Sequence, residues 1–464
     1  METEKTQKTK KIKKTYENGL FIFHNDLRII DNTGLNETSE LCKNLYVCFI
    51  FTPEQVGKSN AYRSNNAIQY MIESLEDLSK EIQSSGGKLM IFYGKQKTVI
   101  DKLIHELHID IVGFNRFYTP YAIHRDNETV ELCQKRGIDC KMFSDFYLQE
   151  PGTILSGSGT VYKKFTPFYE ECLKYPVKKI WKKTIKNWGK YTGSLSNVLL
   201  SDTKNRFVKI NENILVHGGR TIALQQMKKS VISQKNYANT RDFLAKPTTQ
   251  LSAAVKFGCV SIREMYHDFH SNHELIRQLY WRDFFAHLLY AYPETMTESY
   301  YFKKNAWSHN SSHFEKWCEG KTGVPVVDAC MRQLNQTGYM HNRGRMIVAN
   351  FLVKTLLIDW RHGAKYFAQH LTDYDIASNQ GNWQNVSSTG VYYTPYFRDM
   401  NPWIQSKKLD KDAEFIKQWL PELKDVDPKD IHQWDTAYSK YTVKYPQPIV
   451  DYREQKEKMM KLYK

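Results

Sequence analysis

GYMHNRGRMIVANFLVKTLLIDWRHGAKYFAQHLTDYDIASNQGNW, residues 338–383, sets the reading of the chain. Its middle, Met346 to Ile358, is apolar on every side, which predicts a helix buried all round. Yet Asn342, Arg343 and Arg345 stand at its head, and Asp373, Asp375 and Asn379 follow a second helical stretch. A guanidinium beside so apolar a helix needs a partner, because an unpaired buried charge is costly. Asp373 is the natural partner. Polar groups gathered in apolar surroundings point to a built pocket more than to a solvated face.

Towards the N-terminus, short apolar runs alternate with helical patterns. GLFIF (19–23), LYVCFIF (45–51), KLMIFY (88–93), DIVGF (110–114) and IDCKMF (138–143) read as buried strands. Between them Ile68, Met71, Ile72, Leu75, Leu78 and Ile82 recur at helical spacing, as do Val99, Ile100, Leu103, Ile104 and Leu107. Five strands alternating with helices predict a doubly wound parallel sheet, Rossmann-like in outline, of the kind that binds nucleotides at its carboxyl edge. The glycine-rich candidate Ser156–Gly159 (SGSG) lies after the sheet, lacks GxGxxG spacing and reads as a flexible loop.

The expected organisation is α/β plus all-α. Residues 1–18, with Lys5, Lys8, Lys10, Lys11, Lys13 and Lys14, read as a disordered basic tail. Residues 19–149 form the α/β domain, 150–236 a connector of little periodicity, and 237–464 a helical domain. In the last, SIRE (261–264) is a capping box, and helix-like stretches run through 275–291, 324–336, 343–358 and 363–371. From Trp403 the chain is Pro- and Lys-punctuated, and reads as wrapping rather than packing.

An excess of 66 basic over 50 acidic residues, net +16, favours a polyanionic partner, nucleic acid before membrane surface. No apolar run approaches the ~20 residues of a membrane span. Eight cysteines without a CxxC pair, and no secretory leader, read as reduced thiols of an intracellular protein. His267, His270 and His273 form HxxHxxH, but such steps drift around a helix and no carboxylate completes the set, so no metal is expected. Asp373 and Asp375 make a poor general-acid pair, since nearby arginines would hold both ionised. The run Thr248-Thr249-Gln250-Leu251-Ser252 precedes an apolar helix beginning near Ala253. Hydroxyls and free N–H groups there suit a phosphate, an ordinary N-cap being the plainer alternative. Trp281-Arg282 in an amphipathic helix, and Trp307, Trp360 and Trp383 in separate elements, each read alone as core.

Together and in this order the pieces resemble the DNA photolyase/cryptochrome family, and within it the class I cyclobutane pyrimidine dimer photolyases. The N-terminal half carries NDLRIIDN (25–32) and YKKFTPF (162–168). The C-terminal half carries WCEGKTGVPVVDACMRQLNQTGYMHNRGRM (317–346), LLIDWRHGAKYF (356–367), DYDIASNQGNW (373–383) and FIKQWLPEL (415–423). The resemblance implies that the helical domain holds FAD, active as FADH⁻. Tyr237, Thr248, Thr249, Gln250, Leu251 and Ser252 would line its phosphate loop, and Arg282 and Asn342 would also contact it. Arg345 would pair with Asp373 beside the isoalloxazine, Asp375 would contact the ring's pyrimidine edge, and Asn379 would face N5. Trp383, Trp360 and Trp307 would pass electrons from the surface.

UV-damaged DNA is the implied partner, bound by a soluble monomer of the cytoplasm or nucleus with no membrane role. The lesion would flip into a cavity walled by Trp281. Gln278, Asn342 and Met346 would line that cavity, and Arg241, Arg343 and Arg398 would hold backbone or lesion. Light would drive a carbon–carbon lyase reaction that splits the cyclobutane. Six positions depart from the pattern. Gln278 replaces a common Glu, Asn385 a second wall Trp, Gln250 an Arg of the phosphate loop, and His24-Asn25 a basic pair. Thr119 stands where folate-binding relatives carry an acid, which leaves a second, antenna chromophore unassigned. The (6–4) photolyases need two histidines where this chain has Asn342 and Met346. A signalling cryptochrome or a DASH-like, single-strand-specific photolyase is the alternative; the former usually adds a long C-terminal tail, and this chain stops at Lys464.

Overall fold

The structure, a computed structural model, describes residues 16–191, 195–301, 307–392 and 399–463. The apolar runs form β1 (Tyr16–Phe23), β2 (Cys42–Phe51), β3 (Leu89–Tyr93), β4 (Ile111–Asn115) and β5 (Asp139–Phe143). They make one sheet in the order β3-β2-β1-β4-β5, parallel throughout. Helices Thr33–Leu41, Asn65–Ser84, Gln96–Glu106 and Pro120–Arg136 connect the strands in the expected doubly wound way. β1 begins at Tyr16 and not Gly19, because Tyr16 and Asn18 extend the ladder opposite Cys42 and Asn44. The rest of the basic tail lies outside the described residues. β5 is not the buried strand expected: Asp139, Lys141 and Met142 are exposed. It forms one of the two edges of the sheet, where charged side chains discourage pairing with another chain.

The connector holds more structure than its sequence suggests, with helices Phe165–Cys172, Leu200–Phe207 and Arg220–Ser233. The last exposes Ile222 and Ile232 while burying Ala223 and Met227, so its apolar residues trace no single stripe. The C-terminal region likewise packs where wrapping was expected. Leu409, Phe415, Ile416, Leu420 and Leu423 are buried in the core of the helical half.

The decisive stretch is buried from Ile347 to Ile358. It is a helix, Asn342–Asn350, followed by a π-turn, Phe351–Thr355, rather than one continuous helix. The capping box forms as expected, Ser261 Oγ accepting from Glu264 N and Glu264 from Ser261 N. NDLRIIDN welds the two halves. Arg263 donates to Asp31 at 2.8 Å and to Asp145 at 2.7 Å, Ser261 donates to Asp31, and Arg28 pairs with Asp145. All five side chains are buried, and buried charges persist only when paired in this way. Among the described residues no helix is long and apolar enough to cross a membrane.

Candidate functional site

At the head of the Asn342–Asn350 helix, Arg345 donates to both oxygens of Asp373, at 2.9 and 3.1 Å, and to the Met340 carbonyl. The expected pair therefore forms. Burial pushes the Asp373 carboxyl up. The Arg345 guanidinium, the Ser252 hydroxyl and the charge of Lys256 outweigh it and hold the acid below its usual range. Asp375 caps the helix Ile376–Ser387 by accepting from Ser378 N at 2.9 Å. Asn379, one turn on and so on the same face, donates to the Ala364 carbonyl and to Gln380.

The hydroxyl run faces this group. Ser252 reaches Asp373, and Thr248 lies 3.5 Å from the phenol of buried Tyr339. The helix behind the run begins at Ser252, one residue before the expected Ala253, ends at Lys256, and no side chain caps it. The plainer N-cap reading is thus not observed. Instead the loop is pinned from outside. Gln226 and Ser230 donate to the Thr249 carbonyl and Gln234 to that of Pro247, while Gln250 adopts φ +55° and Leu251 is buried. The pinning helix, Arg220–Ser233, had no legible period, so sequence reasoning missed these contacts.

The three indoles lie in separate segments, two of them on helices that pack together. Trp383 and Trp360 are buried and Trp307 is half-buried. Trp360 Nε1 donates to Ser299 Oγ at 3.1 Å, and the Arg361 guanidinium covers its ring. Trp383 lies against Gly363, where a Cβ would come within 2.6 Å of Leu352 and closer still to the indole. Gly363→Ala is therefore expected to destabilise by about 1–3 kcal/mol, the usual cost of overpacking, read as a lower thermal midpoint.

The remaining candidates lie around the helix His273–Ala291. Trp281 stacks on Phe165; Gln278 bonds its own helix at Glu274. Arg282 turns to the Phe146 carbonyl and covers the Tyr147 ring. Arg241 pairs with Glu274 at 2.8 Å and lies over Tyr237, and Arg343 pairs with Asp242 at 2.5 Å. Asn342 is exposed and sits 4.0 Å from the Met346 sulfur. Arg398 lies outside the described residues. His267 and His270 bond backbone carbonyls.

Asp283, on the same helix, is fully buried, and among the described residues its Oδ1 has no partner. Burial pushes its acid up to about 7 from 3.8. Between these values the folded state keeps a proton that the unfolded chain has released, so stability should fall as pH rises through that window. Asp283→Asn is expected to flatten this fall in pH-dependent thermal melts.

A cavity of about 450 Å³ separates the carboxyl edge of the sheet from the helical half. His24, Gln96, Thr119 and Arg125 line one side, and Lys256, Tyr374, Asp375 and Gln380 the other. Burial, with the nearby Arg125 charge, holds His24 well below its usual value and hence neutral. Burial also lowers Lys256 to about 8, against the pull of Asp375 and Asp373. Nothing in the sequence singled out Lys256.

Two family models match the chain: DNA photolyase over residues 20–183, and the FAD binding domain of DNA photolyase over 275–464. The deoxyribodipyrimidine photo-lyase of Escherichia coli is 33% identical, over 95% of this chain and 97% of that protein. The crystal structure of an archaeal photolyase from Sulfolobus tokodaii, described with two FAD molecules and a novel light-harvesting cofactor, is 38% identical. It superposes with a TM-score of 0.87 over 96% of this chain and 99% of that one. A bacterial class III photolyase from Agrobacterium tumefaciens is 30% identical, with a TM-score of 0.89 over 99% of both chains. Sheet, helical half and full-length similarity agree: the chain belongs to the DNA photolyase family, and its helical half is that family's FAD-binding domain.

Proposed function

We propose that the protein is a deoxyribodipyrimidine photo-lyase, a monomer that uses light and reduced FAD to split cyclobutane pyrimidine dimers in DNA. The observation that carries this reading is the Arg345–Asp373 pair, its carboxylate buried and its guanidinium partly exposed, beside an uncapped hydroxyl loop and two packed helices that carry Trp360 and Trp383.

The donor set fits the cofactor. The hydroxyls of Thr248, Thr249 and Ser252 suit phosphate oxygens, with Tyr237, Gln250 and Leu251 completing their surroundings. Arg345, with Asp373 neutralising its charge, would lie beside the ring system, with Arg282, Asn342 and Asp375 around it. Asn379 supplies an amide where a carboxylate would repel an anionic flavin. Reduced FAD, when bound, supplies one electron to the dimer in the light and takes it back. The chain's own residues bind, orient and shield. Trp281 walls the lesion, Gln278, Asn342 and Met346 line its cavity, and Trp307, Trp360 and Trp383 carry electrons inward from the surface. Asn342 and Met346 offer no acid or base for (6–4) chemistry, which favours cyclobutane dimers. The interdomain cavity suits a second, antenna chromophore, whose contacts would come from neutral His24, Gln96 and Thr119.

Arg241 and Arg343, with Arg398, would grip the DNA backbone. Their partners Glu274 and Asp242 are partly exposed, and such pairs are worth only about 0–1 kcal/mol, so a phosphate can replace the carboxylate. Affinity for DNA should then fall steeply as salt rises, checked by titration at several ionic strengths; a flat response would count against these contacts. The activity itself is tested by illuminating the reduced, FAD-loaded protein with a dimer-bearing duplex. Dimers should disappear in the light and persist in the dark.

A further inference from the structure

YKKFTPF (162–168) lies in the connector, far in sequence from the lesion wall, and the proposed reaction gives it no role. Its first phenylalanine opens the helix Phe165–Cys172, which packs against His273–Ala291. Phe165 is buried, and its ring lies flat on Trp281, with centroids 3.7 Å apart and planes 6° from parallel. The Arg277 guanidinium lies over the rings of Phe165, at 5.4 Å, and Tyr169, at 5.9 Å. Tyr392 and Phe284 stand edge-on to the indole at 5.3 and 5.7 Å. Trp281 itself remains partly exposed. Phe165 thus lies flat against the indole at the shortest distance, buried Phe285 of the indole's own helix is stacked with a tilt of 28° at 5.7 Å, and Tyr392 and Phe284 hold the edges.

We propose that Phe165 is a positioning residue for lesion recognition, fixing the plane of Trp281 so that a flipped dimer meets a rigid wall. The inference rests on the reading of Trp281 as that wall. Its force comes from Asn385. Where a second tryptophan would close the other side, this chain has an amide whose Nδ2 donates to the Tyr392 backbone carbonyl at 3.0 Å, tying down the backbone that carries the edge ring instead. With one indole left to stack a base, any freedom of that indole is lost on binding and weakens it; ordering it beforehand removes the cost. A flat partner supplied by a different element holds the ring plane independently of the helix that carries Trp281.

The test is a double-mutant cycle of Phe165→Leu and Trp281→Ala. Binding in the dark to a duplex with one thymine dimer is compared with binding to the undamaged duplex, alongside KM and the repair rate at saturating DNA. Phe165→Leu should weaken dimer binding by about 2- to 12-fold, the worth of an aromatic stack beyond its buried area. The loss should read in KM rather than in the saturated rate. Because Phe165 acts only through the indole, the double variant should bind dimers no worse than Trp281→Ala alone. Flavin content reports folding, and Phe165→Met, which keeps the bulk without the ring, serves if the leucine variant loses its flavin. The proposal fails if Trp281→Ala weakens dimer binding while the Phe165 variants bind like the parent, or if the two losses add. If Trp281→Ala leaves dimer binding intact, the wall reading fails and the inference falls with it.

Discussion

Trp360→Phe is expected to slow the photoreduction of bound oxidised flavin sharply, while protein whose flavin is already reduced continues to repair. Trp360 is fully buried, hydrogen-bonded to Ser299 and covered by Arg361. Trp383 is seated against Gly363 of the same helix, and half-buried Trp307 stands nearer the solvent. A relay from surface to pocket needs an oxidisable ring at each step. Phenylalanine keeps an aromatic ring in the core but removes the indole, so the fold should survive while the step is lost. The measurement is bleaching of the flavin absorbance under blue light with an external thiol as electron donor. Equal photoreduction by variant and parent would sink the relay assignment.

Arg345→Met should be the most damaging single change in the pocket. It leaves Asp373, 7% exposed, without the guanidinium that holds its carboxylate ionised. Arg345 is itself 26% exposed, so the loss should lie toward the lower end of the ~3–5 kcal/mol that breaking a fully buried pair costs. The variant should melt at lower temperature and purify without flavin; parent-like melting and flavin content would contradict the pocket's electrostatics. Because the Asp373 acid is depressed in the fold, the parent's pair contributes fully above 3.8, the unperturbed value. That contribution is lost as pH falls further through the folded value, so the gap between parent and variant should narrow in acid.

Much of the architecture was legible because strong periodicity and buried packing coincide. The runs of β1 to β4 and the apolar stretch after Arg345 are buried as their patterns require, and the charged head of that stretch pairs with Asp373. Elsewhere local pattern and tertiary context part company. Arg220–Ser233 pins the Thr248–Ser252 loop through Gln226 and Ser230, yet its apolar residues point several ways. β5 reads as buried because Cys140, Met142 and Phe143 are apolar, but it stands at one edge of the sheet and, unlike β3 at the other edge, whose backbone Ser196 and Asn197 cover, it leaves Asp139, Lys141 and Met142 exposed. Lys256 and the Phe165–Trp281 stack join residues from different elements. Spacing along the chain carries no trace of such contacts, and YKKFTPF marked the place without its purpose.

The central claim meets its most direct test with reduced, FAD-loaded protein under anaerobic conditions and near-UV or blue light. One oligonucleotide carries a cyclobutane thymine dimer and a matched one a (6–4) product, and restored thymine is read against dark controls. Loss of cyclobutane dimers in the light alone, with (6–4) products untouched, is the predicted result. Dimers left intact under illumination would contradict the account.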